Sequence, residues 1–442
     1  MQKISILLLE KSIRGSESLL VFFSALVFAS SFYGFLYGLF IFLIPLYWLF
    51  LEKKLSFFYG FIWGLTFFAF HSFDFFYVVF EQGYGYFRLL YPTLFVVYCA
   101  LYPGFWFLIL KELQKRHQNY QQFIWIAGTF LYFLWIDKGL LFPFGRIEGL
   151  PLCFLLLPLF YKPVLAQLIG MLGKWPVVLA LIIISAVAIE GYSKKIWQLV
   201  GICLLLLFLF SLISNKSEQL PAWFDKVISV TFKATATMQE RLNIMTQKLS
   251  QEQDKLLIFP ESCVPFCNDT EHYGASLLQQ HLLQGSLCIF GTHTKKAEKL
   301  YNSFIFCDPS RIIISYEKTH LIPFFEYNPF YFFQYGFYFD FFLHKKKPFT
   351  FSKTSPITVK HNQIGPFLPV ICSELFWDKQ RRKYPRIPLI CIANDSYFTG
   401  FGYLQFMLLA AQLVALSEQR PIIYCSWSGA YFINSQAYLK KI

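Results

Sequence analysis

The feature that most constrains this chain is an abrupt change in polarity near residue 214. Residues 1–213 consist of long apolar runs separated by short basic clusters, whereas polar residues return from Asn215 onward. A helix that crosses about 30 Å of hydrocarbon needs about 20 mostly apolar residues. We therefore predict a membrane-embedded α-helical bundle over 1–214 and a separate extracytoplasmic α/β domain over 221–442.

The composition agrees with a membrane protein and argues against a nucleic-acid partner. Hydrophobic residues make up 56% of the chain and charged residues only 15%, whereas soluble proteins carry about a quarter of charged residues. The net charge of +13 comes from short clusters between apolar runs, where membrane topology accounts for it better than binding to an acidic polymer. We expect no cleavable signal peptide, because no small-residue cleavage site clearly follows the first apolar run and further spans do.

The apolar runs predict about seven membrane spans. We place them at about 17–33, 35–50, 56–80, 89–110, 121–136, 174–190 and 196–213. The first two are joined tightly around Gly34, and the stretch 151–173, interrupted by Pro158 and Pro163, has the pattern of a re-entrant or interfacial segment.

Basic residues beside the spans predict the orientation of the chain. If the spans alternate, ten of these residues fall on one side: Lys3, Lys11, Arg14, Lys53, Lys54, Lys111, Lys115, Arg116, Lys194 and Lys195. The opposite side carries few, among them Arg88, Lys138 and Arg146. The positive-inside rule then places the N-terminus in the cytoplasm. Seven crossings place everything after Ser214 outside it.

The second half of the chain alternates short β-rich runs with helical ones. The helical runs are 237–253, about 274–284 and 404–418, and strand runs such as KLLIFPES, SLCIFGTH and PLICIANDSYF lie between them. This order is typical of an α/β layered sandwich, whose active sites gather at the carboxyl ends of strands.

Three chemically complementary residues end predicted strands. Glu261 ends KLLIFPES, Lys318 ends IIISYEK and Cys372 ends FLPVICSE. Taken singly, each is more often a helix cap, a solvated charge or a core thiol than a catalytic group. Together they form a set, because a thiol with a free pKa of about 8.5 needs a base or a cation to become a nucleophile. Glu261 is suited to take the proton and Lys318 to stabilise an oxyanion. His320 is the weaker candidate for the base.

These motifs resemble the Glu-Lys-Cys triad of the carbon–nitrogen hydrolase (nitrilase) superfamily. The resemblance covers FPES at Glu261, EKTHLIPFFEY at Lys318, CSE at Cys372, ANDSYF at 393–398 and QRP at 419–421. It implies an αββα sandwich, with Glu326 tuning Lys318 and Glu374 as a structural neighbour of the nucleophile.

The seven spans before such a domain make the chain similar to a bacterial membrane acyltransferase branch of the superfamily. The resemblance implies that Cys372 takes a fatty acyl chain from the sn-1 position of a phospholipid, typically phosphatidylethanolamine, as a thioester. The acceptor would be the N-terminal diacylglyceryl-cysteine amine of an apolipoprotein. It implies a multi-pass monomer of the inner membrane with its catalytic domain on the periplasmic side. We expect no metal and no cofactor, since the ester supplies the energy and no phosphate loop or metal-ligand spacing is present.

An aromatic segment after Glu326 supports a lipid substrate independently. NPFYFFQYGFYFDFFLHKKK, at 328–347, is aromatic or apolar at most positions and ends in three lysines. Aromatic residues favour the membrane interface and lysines favour anionic headgroups. We interpret the segment as an arm, carrying Phe332, Phe333 and Phe337, that enters the outer leaflet. The alternative is that these aromatics pack in the domain core.

The chain departs from the family pattern at several positions. Phe259 replaces a tryptophan, Ser373 replaces a tyrosine, and Trp427-Ser428-Gly429 replaces an Asn-Asn-Gly-like segment. The family's final span is missing after Ile442, either because the lineage lacks it or because the sequence is a piece of a longer one. Several cysteines of the second half lie in apolar strand runs typical of buried thiols, although an oxidising compartment would allow some to pair, and Cys263 and Cys267 are close enough in sequence to do so.

Two other functions remain open from the sequence. A membrane-tethered amidase or nitrilase would hydrolyse the same acyl-enzyme with water, because acceptor choice depends on whether water is excluded. A non-catalytic membrane scaffold or a transporter belongs to a different class. The few ionisable residues in the spans argue against transport, and the ordered triad argues against a scaffold.

Overall fold

The computed structural model describes residues 2–35, 37–71, 90–138, 140–142, 145–147, 155–161, 163–190, 223–233, 236–264, 273–297, 299–321, 349–350, 352, 358–376, 381, 383–395 and 403–442. The chain divides into two compact units. One comprises Met1–Lys138 with Pro151–Asn215, and the other comprises Gly139–Leu150 with Lys216–Ile442. The second unit thus includes a short hairpin, β1 (Leu140–Phe142) and β2 (Gly145–Ile147), that precedes the polarity change in sequence.

The described part of the first unit is helical. Its helices are α1 (Gln2–Ser31), α2 (Tyr37–Ile41), α3 (Leu43–Leu51), α4 (Phe57–His71), α5 (Leu90–Arg116), α6 (Gln121–Lys138), α7 (Pro163–Leu172) and α8 (Lys174–Glu190). Between α1 and α2, Gly34 has φ +99°, a conformation that a residue with a Cβ rarely adopts. The tight join predicted at Gly34 is therefore confirmed.

Stacked aromatic rings hold this unit together. Phe28 of α1 stacks on Phe42 at 4.1 Å and on Phe67 at 4.7 Å between ring centroids. The indole of Trp63 donates a hydrogen bond to Ser24 Oγ, which in turn donates to the Phe42 carbonyl. Such bonds satisfy the few polar atoms of an otherwise apolar interior.

The predicted spans coincide with helices to different extents. Within the described residues, Val96–Arg116 is the segment long and apolar enough to cross a membrane, and the other apolar helices of this unit, such as Ser16–Ser31 and Lys174–Ile189, are shorter. The predicted span at 196–213 lies outside the described residues. The stretch expected to be re-entrant contains a 3₁₀ turn at Leu157–Tyr161 and then α7.

The described part of the second unit is built on two mixed sheets. The first sheet has the order β3-β4-β5-β6-β7, formed by Val227–Ser229, Leu256–Ile258, Leu287–Lys296, Lys299–Cys307 and Ile312–Glu317. Strands β3, β4 and β5 are parallel, and β5, β6 and β7 are antiparallel hairpin partners.

The second sheet has the order β13-β12-β11-β10-β9-β8. Its strands, from β8 to β13, are Val359–His361, Gly365–Ile371, Leu389–Ile392, Ile422–Cys425, Ala430–Ile433 and Leu439–Lys441. Strands β9, β10 and β11 run parallel, so their carboxyl ends meet at one edge.

Successive side chains of a strand point to opposite faces of the sheet, and this alternation produces the layers of the domain. Leu256 and Ile258 point into the core between the two sheets, whereas Leu257 and Phe259 point to a second core against helices α9 (Met238–Gln251) and α10 (Tyr273–His281). Helix α11 (Tyr403–Glu418) packs into the core of the second sheet. The predicted αββα sandwich is confirmed.

The predicted helices and strands of this domain are confirmed where the structure describes them. Its described cysteines are buried and form no disulfide bond: Cys263, Cys288, Cys307, Cys372, Cys391 and Cys425. Cys263 is therefore not paired with Cys267, which lies outside the described residues.

Candidate active site

Glu261 lies in a turn that follows β4. The Phe259 N–H continues the ladder by donating to the Ile289 carbonyl, and the Gly291 N–H donates to the Pro260 carbonyl. A Cβ at Gly291 would lie 2.5 Å from the Glu261 Cα, so only glycine permits this approach. The turn is thereby pressed against β5.

The carboxylate of Glu261 is buried and fully oriented. Asn302 Nδ2 donates to Oε1 at 2.6 Å, and the Asn394 N–H donates to Oε2 at 2.8 Å. Lys318 Nζ lies 3.8 Å from Oε1. A buried carboxylate requires such partners, because an unpaired charge in the interior is very costly.

Lys318 follows β7 and is also buried. Its N–H donates to the Asn302 carbonyl at 2.7 Å, which places it beside the residue that binds Glu261. The side chain is 0% exposed. Lysine is almost never fully buried unless paired, so this burial marks Lys318 as a functional candidate rather than a solvated surface charge.

Cys372 begins the 3₁₀ turn Cys372–Phe376, directly after β9. Its φ is +47°, which a residue with a side chain rarely adopts, and such strain clusters at active sites. In the parallel pairing of β9 and β10, Ile371 is opposite Ile392. Cys372 therefore lies beside the segment that ends in Asn394, whose N–H binds Glu261.

The charges of this site also affect the pKa of a second thiol, that of Cys391. Burial raises the pKa of Cys391 well above its ordinary value, and the neighbouring Cys372 and Glu261 raise it further. Cys391 therefore stays protonated.

Glu374 connects the Lys318 loop to the Cys372 turn. Its Oε1 accepts hydrogen bonds from the Tyr316 hydroxyl, from the Thr319 N–H and hydroxyl, and from the His320 N–H. Its Oε2 accepts from the Ile371 N–H at 3.0 Å. Burial, and next the Glu374 charge, raise the pKa of Tyr316, so the phenol remains a donor. These contacts fit the structural place predicted for Glu374, and His320 lies in the same network.

A cluster of buried charged side chains, which the sequence analysis did not predict, hydrogen-bonds to the backbone of the Cys372 turn. Arg381 Nη1 donates to the Glu374 carbonyl at 2.5 Å, and its Nη2 lies 2.7 Å from Glu418 Oε1. Arg420 Nε lies 3.0 Å from Glu418 Oε2. Burial lowers the pKa of Arg420, and Glu418 opposes this effect. The quoted QRP motif contains Arg420, but its partners come from distant parts of the chain.

The structure thus brings together Glu261, Lys318, Cys372 and Glu374 and adds Asn302 and Asn394. The other predicted site residues, Glu326, Phe332, Phe333 and Phe337, lie outside the described residues. Among the described residues, no group of three or more His, Cys, Asp or Glu side chains could hold a metal ion.

Comparison with known proteins gives consistent relatives. Residues 219–438 match the family described as carbon-nitrogen hydrolase. The chain is 27% identical over 382 residues to an apolipoprotein N-acyltransferase of Pasteurella multocida, covering 77% of this chain and 69% of that protein. It is 26% identical over 220 residues to apolipoprotein N-acyltransferase of Brucella suis, covering 47% of this chain and 38% of that protein.

Two solved structures align with about half of the chain. One is a nitrilase superfamily protein of Saccharomyces cerevisiae, with a TM-score of 0.33, 15% identity and coverage of 49% of this chain and 83% of that one. The other is a CN-hydrolase superfamily protein of Xanthomonas campestris, with a TM-score of 0.33, 11% identity and coverage of 48% and 83%.

An αββα sandwich with a buried Glu-Lys pair and a strained cysteine at strand ends defines the nitrilase-like class of proteins. The chain belongs to the carbon–nitrogen hydrolase family through residues 219–438. The family predicted from the sequence motifs is confirmed.

Proposed function

We propose that this protein is an apolipoprotein N-acyltransferase. It transfers a fatty acyl chain from the sn-1 position of a phospholipid to the N-terminal diacylglyceryl-cysteine amine of apolipoproteins. The names of the relatives support this assignment over a scaffold or a transporter. The single observation that carries it is the buried Lys318–Glu261 pair at 3.8 Å, which Glu374 joins to the Cys372 turn by accepting from the Thr319 and Ile371 N–H groups.

The first half-reaction forms a thioester. Glu261 takes the proton of the Cys372 thiol, and the thiolate attacks the carbonyl carbon of the sn-1 ester. The Lys318 ammonium group and a backbone N–H near Cys372 stabilise the oxyanion. The C–O bond of the ester then breaks, and the departing lysophospholipid oxygen takes the proton from Glu261.

The second half-reaction forms an amide. The free α-amine of a diacylglyceryl-cysteine attacks the thioester carbonyl, and Glu261 takes a proton from that amine. Lys318 holds the second oxyanion, the C–S bond breaks, and the departing Cys372 thiolate takes the proton from Glu261, which returns both residues to their starting states. The ester supplies all the energy, so no metal, nucleotide or other cofactor enters either step.

Glu326 and the aromatic segment complete the proposed site. Glu326 positions or tunes Lys318. The arm with Phe332, Phe333 and Phe337 enters the lipid leaflet beside the thiol. Serine at these three positions should lower turnover on bilayer lipid and spare folding. Unchanged kinetics of the triple variant would contradict the role of the arm.

The surface of the described part of the first unit supports a membrane setting for residues 1–214. Large apolar side chains that are exposed among the described residues concentrate there, for example Phe23, Phe58 and Phe123, each more than half exposed. A soluble protein rarely exposes so many. We place about seven spans in the bacterial inner membrane and the catalytic domain 221–442 on the periplasmic side. The enzyme acts as a monomer, with phosphatidylethanolamine as its donor.

Hydrolysis of the acyl-enzyme by water is the competing function, because the same three residues would perform it. The purified protein should be incubated with phosphatidylethanolamine and a diacylglyceryl-cysteine peptide. We expect N-acylated peptide and lysophospholipid in equal amounts. Free fatty acid formed at the same rate with a peptide whose α-amine is acetylated would establish the hydrolase and overturn the transferase.

A further inference from the structure

We propose that Trp427 is a positioning residue for Glu261, acting through the main chain of the turn that carries the carboxylate. The inference rests on the base role proposed for Glu261. It concerns residues in the segment where this chain departs from the family pattern, Trp427-Ser428-Gly429.

Trp427 binds the backbone of Glu261 directly. Its indole Nε1–H donates to the Glu261 carbonyl at 2.8 Å, and the residue is buried. Phe232 packs edge-on against the indole at 5.7 Å, and its N–H donates to the Trp427 carbonyl. The position of Trp427 is therefore fixed by contacts to its indole ring and by a hydrogen bond to its backbone carbonyl.

Arg241 of α9 binds both the ring and the turn. Its guanidinium carbon lies 4.8 Å from the centre of the Trp427 ring, within range of a cation–π interaction. Its Nη1 donates to the Ser262 carbonyl at 3.2 Å. Two successive carbonyls, those of Glu261 and Ser262, are thus held by one stacked pair of side chains.

The turn needs such support because its backbone is strained. Ser262 has φ +57°, a left-handed conformation that a residue with a Cβ rarely adopts. Ser262 Oγ also lies 2.9 Å from His293 Nε2 on β5. The contacts from Trp427 and Arg241 hold the two residues on which the direction of the carboxylate depends.

The segment that carries Trp427 is anchored to the same strand end that binds the carboxylate. Asp395 Oδ2 accepts from the Ser426 hydroxyl at 2.9 Å, and Asp395 Oδ1 accepts from the Ser428 N–H at 3.1 Å. The preceding residue, Asn394, donates its N–H to Glu261. The segment that carries Trp427 and the strand end that carries Asn394 are therefore hydrogen-bonded to each other. Together they bind both the main chain and the side chain of Glu261.

The consequence of these contacts is that the Glu261 carboxylate is aligned for catalysis. A reacting group must be held within about 0.5 Å of its productive position, and a rotation of the Glu261 peptide would swing its carboxylate away from Cys372. Removing the indole N–H leaves a buried carbonyl without this donor and frees that rotation.

The test compares Trp427→Phe with Trp223→Phe. Phenylalanine at 427 keeps an aromatic ring under Arg241 and against Phe232 but removes the donor. Trp223 is half-buried against the core between the sheets, so its substitution makes the same chemical change away from Glu261. We expect Trp427→Phe to lower kcat for acyl transfer about ten-fold, as loss of a buried hydrogen bond allows, with KM within two-fold. Trp223→Phe should leave both constants unchanged.

A second readout does not depend on lipid. The rate at which iodoacetamide alkylates Cys372 at pH 7, measured by mass spectrometry, should fall in Glu261→Gln and fall partly in Trp427→Phe. If Trp427→Phe does not fold, Arg241→Gln, at a half-buried position, should lower the rate about three-fold. An unchanged rate in that variant would also contradict the inference.

The outcomes separate the two proposals. A rate that falls in Glu261→Gln but not in Trp427→Phe would overturn the role of Trp427 alone. A rate unchanged in Glu261→Gln would overturn the base role of Glu261 and the inference with it. A fall in kcat that is matched by an equal rise in KM would assign Trp427 to substrate binding and contradict positioning.

Discussion

Lys318 Nζ and Glu261 Oε1 lie 3.8 Å apart, with both side chains removed from solvent. At this distance the pair is an ion pair without a short hydrogen bond. The hydrogen bonds to the carboxylate come instead from Asn302 and Asn394. This geometry leaves the carboxylate oriented by neutral donors, and in the proposed mechanism it leaves the Lys318 ammonium group available for the oxyanion.

Loss of the cation should affect both stability and turnover. Lys318→Met leaves the Glu261 carboxylate buried without its ion-pair partner, which should lower the free energy of unfolding by about 3–5 kcal/mol. Turnover should fall by about 10²-fold or more, because the oxyanion loses a donor. Lys296→Met is the matched control. Its partner is Glu317 and its side chain is half exposed, so the change should be about 0–1 kcal/mol. Equal effects of the two substitutions, measured by denaturant unfolding, would argue against the buried pair.

A second carboxylate beside Glu261 should shift the pH dependence of catalysis. Asn302→Asp places an acid 2.6 Å from the position of Glu261 Oε1, and like charges raise the apparent pKa of such a pair. The acid limb of the kcat/KM profile should move to higher pH by about 1. Asn243→Asp, on the exposed face of α9, should leave the profile in place. An unmoved acid limb in Asn302→Asp would show that Glu261 is not the group that titrates.

Glu374→Gln should separate the Lys318 loop from the Cys372 turn. An amide cannot accept at both ends, so at least one of the donors now bound, among them Tyr316, Thr319 and Ile371, loses its partner. We expect the free energy of unfolding to fall by about 2–3 kcal/mol, and kcat to fall with it. Glu252→Gln, at the end of α9, is the control, and both values should stay near wild type. Wild-type turnover in Glu374→Gln would mean that this carboxylate does not align the site.

Burial of Cys263 should make the domain less stable at alkaline pH. Burial raises the pKa of this thiol to about 12, well above the value of about 8.5–9 for an exposed thiol. The contribution to stability is therefore complete below pH 9 and is lost as the pH rises toward 12, because the unfolded chain releases the proton first. At pH 10 the loss should be about 1.4 kcal/mol. Cys263→Ala should show a smaller fall in unfolding free energy between pH 8 and pH 10 than the wild type does. Identical slopes would contradict the assignment.

The fold of the second unit could be predicted because its strands carry their own signals. Runs such as LLIF and LICI are apolar on both faces, as buried parallel strands are, and polar residues mark their ends. The triad followed from chemistry and from family resemblance. The spans of the first half are predicted from hydropathy alone, and hydropathy does not predict how the helices pack.

The supporting residues could not be predicted, because they come together only through strand pairing. Asn302 reaches Glu261 across 41 residues of sequence, and Trp427 does so across 166. In the sequence Trp427 was visible as a departure from the family pattern, with no indication of its partner. The Arg381–Glu418 pair similarly joins residues whose sequence neighbours do not predict an ion cluster.

Formation of a thioester on Cys372 is the most direct test of this account. The purified protein should be incubated with phosphatidylethanolamine that carries a labelled sn-1 chain, and the label on the protein should then be treated with neutral hydroxylamine. We predict a hydroxylamine-sensitive label on the peptide that contains Cys372 in the wild type and no label in Cys372→Ala. Label retained by Cys372→Ala, or label on the wild type that resists hydroxylamine, would contradict the account.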